Sequence, residues 1–197
     1  MKKLIFLVGF ITLFSTSCDV AKNVAGTYSL LQCEYSYNSI SGLSLAGVNL
    51  QNINSISSLN PLTAASLLGA FSQQSVPLQF TLNLNVKNPN HQAAILNGLQ
   101  YILEIDDIEM TTGAVNSQMQ IATGQIAQLP VTIGFDLKKA MKGETADAVK
   151  NMAFNFVGLG DRSTRVTLKL KPNLNIGGQL LASPIYIPVS FTYGKSK

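Results

Sequence analysis

The chain has 197 residues, 46% of them hydrophobic and 12% charged, with a formal charge of +4. That is enough apolar material for a domain with a true core and too much for a disordered tail. Lys2 and Lys3 aside, twelve basic side chains face ten acidic ones, a balance too mild to imply a nucleic-acid partner. The cations are concentrated late, with ten over residues 136–197 against Lys22 and Lys87 over residues 19–135. Spread over strands, they read as solvated faces.

Residues 1–17 have the parts of a secretory leader: Lys2 and Lys3, an apolar run from Leu4 to Phe14, then Ser15, Thr16 and Ser17. The run is too short to cross a bilayer as a helix, which takes about 20 apolar residues. Cys18 at the junction resembles the lipobox cysteine of bacterial lipoproteins, which becomes the acylated first residue of the mature chain. Such boxes usually hold Leu three places earlier, where this chain has Ser15. Ser15 and Ser17 also suit an ordinary signal peptidase, which would cut at the same bond and leave no lipid. The favoured expectation is a chain lipidated at Cys18 by acyl chains of the palmitate kind. It would be held to a membrane on the extracytoplasmic side of a bacterial cell envelope, with residues 18–27 as tether. Cys33 is then left single and reads as a buried structural thiol.

From residue 28 onward the elements follow in order. Leu31, Cys33, Tyr35 and Tyr37 alternate as in a strand. Leu43 and Leu45 alternate, then Val48 and Leu50 do so on the opposite parity, which places a bulge at Ala46-Gly47. Asn60-Pro61 is a helix start, and Ala64, Leu67, Leu68 and Phe71 give Pro61–Phe71 an apolar face. Leu78, Phe80, Leu82, Leu84 and Val86 then alternate with Gln79, Thr81, Asn83, Asn85 and Lys87. This is the pattern of a strand with one face buried and one wet. Leu99, Tyr101, Leu103 and Ile105 share a face, Asp106-Asp107 turns the chain, and Ile108 and Met110 begin the return. Leu129, Val131, Ile133, Phe135 and Leu137 make another strand, and Val149, Met152, Ala153 and Phe156 a second short helix opened by Thr145. Val166, Leu168 and Leu170, then Ile185, Ile187, Val189 and Phe191, close the chain. Pro184 and Pro188 cannot donate to a ladder, so the last strand lies at an edge or begins late. About seven strands and one or two short helices predict an antiparallel β-sandwich over residues 28–197, as one domain.

Asn88-Pro89-Asn90 ends the longest alternation. Pro89 has no amide hydrogen and holds Asn88 extended, while Asn90 tolerates left-handed angles and both amides can bond nearby backbone. "FTLNLNVKNPN" followed by "AAILNGLQYILEIDDIEMTTGAVN" resembles the group-2 late embryogenesis abundant proteins and their water-stress and hypersensitive-response module. The matching positions are Asn88, Pro89, Asn90, then Gly98 and Tyr101, then Gly113, with "LPVTIGFDL" and "PIYIPVSFTYG" fitting the final strands. The resemblance spans residues 40–193, apart from an insertion between Ser55 and Gln74. It implies a sandwich related to fibronectin type III and immunoglobulin-like domains, a role in stress protection, and no enzyme activity. The Asn-Pro-Asn is read as structural punctuation on exposed turn residues.

Nothing in the chain assembles catalytic chemistry, and no cofactor or metal is expected. His91 is the single histidine, too few for a His/Cys metal cluster, and it sits in a polar turn. Glu104, Asp106, Asp107 and Glu109 are hard oxygen donors of the kind calcium takes, but their spacing is not that of an EF-hand. Gly158–Ser163 is glycine-rich yet follows a helix, without phosphate-loop spacing. Two functions remain open: a membrane-anchored protective, chaperone-like module, or a binding module. The second would hold a lipid or apolar ligand between its sheets, or dock an envelope protein through the 61–71 helix.

Overall fold

Period-two alternation becomes two facing sheets in the computed structural model, which describes residues 25–26, 28–51, 60–140, 145–156, 162–176 and 178–194. The leader, Cys18, most of the tether, most of the Ser55–Gln74 insertion before the helix, and most of Gly158–Ser163 lie outside the described residues. One sheet has the order β2-β1-β3-β6, formed by β1 (Glu34–Leu45), β2 (Val48–Asn49), β3 (Pro77–Lys87) and β6 (Ile126–Asp136). The other runs β5-β4-β7, from β4 (Ala94–Ile105), β5 (Ile108–Ile121) and β7 (Thr164–Ile176). Alongside β7 lie β8 (Gln179–Ala182) at its C-terminal half and β9 (Ile187–Tyr193) at its N-terminal half. All pairings are antiparallel. The architecture is the expected mainly-β sandwich. Val48, expected to continue a strand past a bulge, opens the short β2, and β8, of four residues, is the strand that no alternation marks.

The core lies between the sheets, and the apolar parity of each long strand supplies it. Leu82, Leu84 and Val86 of β3, Leu103 and Ile105 of β4, Val131 and Ile133 of β6, and Leu168 and Leu170 of β7 are all fully buried. Tyr37 of β1 stacks on Phe191 of β9 at 3.9 Å between ring centres, joining the sheets at one edge. At one end of the sandwich, α3 (Thr145–Phe156) inserts Phe156 between Phe80 and Tyr193, at 5.6 and 5.4 Å. Val149 and Met152 are buried beside it, as their helical spacing requires. The short α2 (Leu137–Ala140) precedes it, and Asp136 caps α2 while also accepting from the Val76 amide. In α1 (Pro61–Phe71), the Asn60 side chain accepts from the Thr63 amide at 2.7 Å and Leu67 is buried. β9 begins at Ile187 and pairs on one side with β7, so the edge position inferred from the prolines holds.

Two expectations for the first strands are corrected. Tyr28–Leu31 is a helical turn, with β1 starting only at Glu34. Ser29 Oγ donates to the Ala25 carbonyl, and Leu30, not Leu31, is the buried residue. Four alternating residues cannot outweigh those local bonds. Ala46-Gly47 is no bulge: φ values of 49° and 81° make it the two-residue turn of the β1–β2 hairpin. The register slips lie instead within β1, between Tyr37 and Ser39 and between Ser41 and Ser44, the second at Gly42 with φ 62°.

Candidate functional site

The Asn-Pro-Asn motif closes the end of the sandwich where β3 stops and β4 begins. Asn88 is completely buried, not exposed as a turn asparagine would be. Its amide donates to the Gln125 carbonyl at 2.9 Å and its carbonyl accepts from Gly124 at 2.8 Å, so the main chain stays tied to the β5–β6 turn. Its Nδ2 donates to the carbonyls of Gln92, at 2.8 Å, and Ile121, at 2.9 Å. Its Oδ1 accepts from the Asn90 amide at 3.0 Å and from Asn90 Nδ2 at 2.8 Å. Asn90 Nδ2 also donates to the Ser29 carbonyl at 2.9 Å. One asparagine thereby ties the 90–92 loop to the end of β5 and to the β5–β6 turn. Asn88 makes these bonds from a buried position, not from the exposed turn that the sequence suggests.

Gly98, Tyr101 and Gly113 form a second joint within β4 and β5. Gly98 has φ 83° at a register slip between Asn97 and Leu99, and a Cβ there would lie 2.9 Å from the Val115 carbonyl. Tyr101 sits directly opposite Gly113, and a Cβ on Gly113 would overlap its ring. The glycine is needed because the ring lies across it on the way to the facing sheet, where the Tyr101 hydroxyl donates to the Thr132 carbonyl at 3.2 Å. Gly113→Ala should therefore cost about 2 kcal/mol in urea unfolding, as overpacking does. It should cost much less in a Tyr101→Ala background, where the ring is gone. Additive losses would contradict this coupling.

The outer face of the β1-β3-β6 sheet is polar and uncharged over four successive rows. Register places Ser36, Asn85 and Gln128 in one row, then Ser39, Asn83 and Pro130, then Ser41, Thr81 and Thr132, then Ser44, Gln79 and Gly134. Asn83 Nδ2 donates to both Ser39 and Ser41 hydroxyls, at 3.2 and 2.9 Å, and the hydroxyls of Thr81 and Thr132 are 3.0 Å apart. Only the β3 column was legible from alternation; the slips within β1 hide its serine column.

The acidic turn is occupied by bases of β7. Asp106 and Asp107, with φ values of 48° and 67°, are the two central residues of the β4–β5 turn. Asp106 Oδ1 accepts from the Arg165 amide at 2.9 Å, Asp107 pairs with the Arg165 guanidinium, and Glu104 pairs with Lys169. No group of three or more metal-binding side chains occurs among the described residues. His91 is exposed. One polar cluster escaped the sequence reading. Asn151 and Asn155, one turn apart on α3, both donate to Thr164 Oγ1 at 2.8 Å, and Asn155 also donates to the Arg162 carbonyl. Asparagines on the same side as Val149, Met152 and Phe156 were the available signal.

Cys33 is buried, and its thiol donates to the Ser29 carbonyl at 3.4 Å. Burial first, and the charge of Glu34 second, push it up from 9.0 to about 11. Burial also raises the phenols of Tyr35, Tyr37, Tyr101 and Tyr193, Tyr35 the most. These groups hold their protons in the folded chain at a pH where the unfolded chain has released them. Their contribution is therefore complete below about pH 9 and is lost as pH rises through 11 and beyond. Urea midpoints measured from neutral to alkaline pH should fall once pH 9 is passed, and a flat profile would contradict the burial argument.

No family model matches the sequence, and no curated protein is significantly similar to it. Similar solved structures include a late embryogenesis abundant protein, 13% identical with a TM-score of 0.39, matched over 90% of this chain and 82% of that one. Another is a protein from Arabidopsis thaliana, 11% identical with a TM-score of 0.40, over 64% of this chain and 76% of that one. A third is a protein from Archaeoglobus fulgidus, 11% identical with a TM-score of 0.39, over 82% of this chain and 98% of that one.

Proposed function

We propose that the chain is a lipid-anchored, non-enzymatic module of the cell envelope that protects neighbouring membrane or protein surfaces when water is lost. The observation that carries this reading is the uncharged face of Ser, Thr, Asn and Gln side chains running through Asn83, Thr81 and Thr132. Amides and hydroxyls at strand spacing can exchange water for the polar groups of a drying surface without the cost of desolvating charge. The resemblance of residues 40–193 to the water-stress module points the same way. Acylation of Cys18 would hold that face at a membrane. Binding an apolar ligand between the sheets has less support, because the inner faces are filled by their own side chains. Docking through α1 retains Leu62, which is 79% exposed.

Drying a desiccation-sensitive enzyme with an equal mass of this protein or of an inert protein tests the reading. The expected result is higher recovered activity with this protein, and a reduced benefit for the Thr81→Ala, Asn83→Ala, Thr132→Ala variant. Recovery no better than the inert control, for the enzyme and for dried vesicles alike, would remove it.

A further inference from the structure

The exposed apolar side chains are not scattered. Of the eight large ones among the described residues, five lie at the end of the sandwich that Asn88 closes, and Ile185 and Tyr186 follow on the loop beside Lys171 and Pro172. Tyr28 is on the helical turn bonded to Asn90, and Ile126 opens β6 opposite Lys87. Ile176, Leu180 and Leu181 belong to the β7–β8 hairpin, and Ile185 and Tyr186 to the loop that follows. Every residue of β8 is exposed, so Leu180 and Leu181, which point to opposite faces, are both in water. The ribbon carries Leu174, Ile176 and Leu181 on one face and Leu180 beside Asn173 and Asn175 on the other, and exposed leucines gathered this way mark a contact surface.

We infer that this end is a membrane-contact surface, with the β7–β8 hairpin and the loop after it lying in the headgroup region of a phospholipid bilayer. The inference rests on the proposed anchor at Cys18 for its direction. The described chain starts at Ala25 at this same end, where a side chain on Gly26 would meet Ile95 at the start of β4. The seven residues from Cys18 to Val24 reach at most about 25 Å. A tether that short turns the apolar end, not the opposite one, toward the bilayer. Charged side chains of both signs gather at the opposite end. Glu104, Asp106, Asp107, Glu109 and Asp136 lie at the far end, and the single described carboxylate at the apolar end, Glu34, is paired with Lys87 at 3.0 Å. Tyr186 carries Lys171 over its ring at 5.1 Å. An aromatic body with a cation beside it is suited to the water–lipid boundary.

The test uses the mature chain in vesicles of phosphatidylethanolamine with a minority of phosphatidylglycerol. A fluorophore is placed at Leu180→Cys or, at the far end, at Asp107→Cys. Cys33 does not compete, being buried with its thiol raised to about 11. Brominated lipids should quench the label at 180 by about half or more and leave that at 107 unchanged. Equal quenching at both positions would overturn the inference. The Cys18→Ser chain, without acyl groups, should still float with these vesicles, and Leu180→Glu with Leu181→Glu should reduce that about tenfold. Both substitutions are at exposed sites, so an unchanged thermal midpoint shows that folding is intact. If the Cys18→Ser chain self-associates without lipid through the same two leucines and ignores vesicles, the patch belongs to a second copy and the inference fails. Because this arm lacks the acyl group, it separates failure of the contact from failure of the anchor, which the intact mass reports.

Discussion

Asn88→Ala should lower the free energy of unfolding by about 3 kcal/mol, seen as a shift of the urea midpoint without a change in slope. The substitution leaves the carbonyls of Gln92 and Ile121 without their donor, and strips Asn90 of the acceptor that both its amides use. Each buried polar group abandoned this way costs about 1–3 kcal/mol, because no water reaches it to substitute. Asn88→Asp keeps the acceptors and loses the donors, so it should be destabilising too. Asn90→Ala, at a half-buried position, should cost about 1 kcal/mol. Equal effects at 88 and 90 would mean that Asn88 is an ordinary turn residue after all.

Phe156→Ala should cost about 4 kcal/mol, the range for removing a buried phenyl ring whose site cannot collapse. Its ring lies between Phe80 and Tyr193, so truncation removes two aromatic contacts and one of the buried apolar groups, with Val149 and Met152, that attach α3 to the far end of the sandwich. The same change should expose α3 amides to hydrogen exchange while β3 and β4 stay protected. Loss of protection throughout the chain would contradict an attachment confined to that end.

How far the fold could be read beforehand follows from the length of each signal. β3, with five alternating pairs, and β4, β6 and β7 have their apolar parity buried as expected, since a slip of one residue would turn every core side chain to water. The Asn60 cap and the Thr145 helix were legible because caps and helical spacing are local. What failed was short or interrupted. Tyr28–Leu31 alternates over too few residues to outweigh Ser29's bonds, and Ala46-Gly47 changes parity in the same way whether it is a bulge or a hairpin turn. The candidate sites divide similarly. Asn88, Gly98, Tyr101 and Gly113 could be picked out as a set, yet Asn88's burial and the ring over Gly113 depend on the β5–β6 turn and the facing sheet. The uncharged rows and the apolar end are properties of register between distant strands, so no single stretch of sequence displays them.

The protective reading and the orientation of the apolar end share one premise, that the chain is held to a membrane through Cys18. The intact mass of the protein extracted from its own membranes tests it directly. The expected result is a chain starting at Cys18 with the added mass of acyl groups on that residue. A chain starting at the same residue with no added mass, recovered in the soluble fraction, would contradict it.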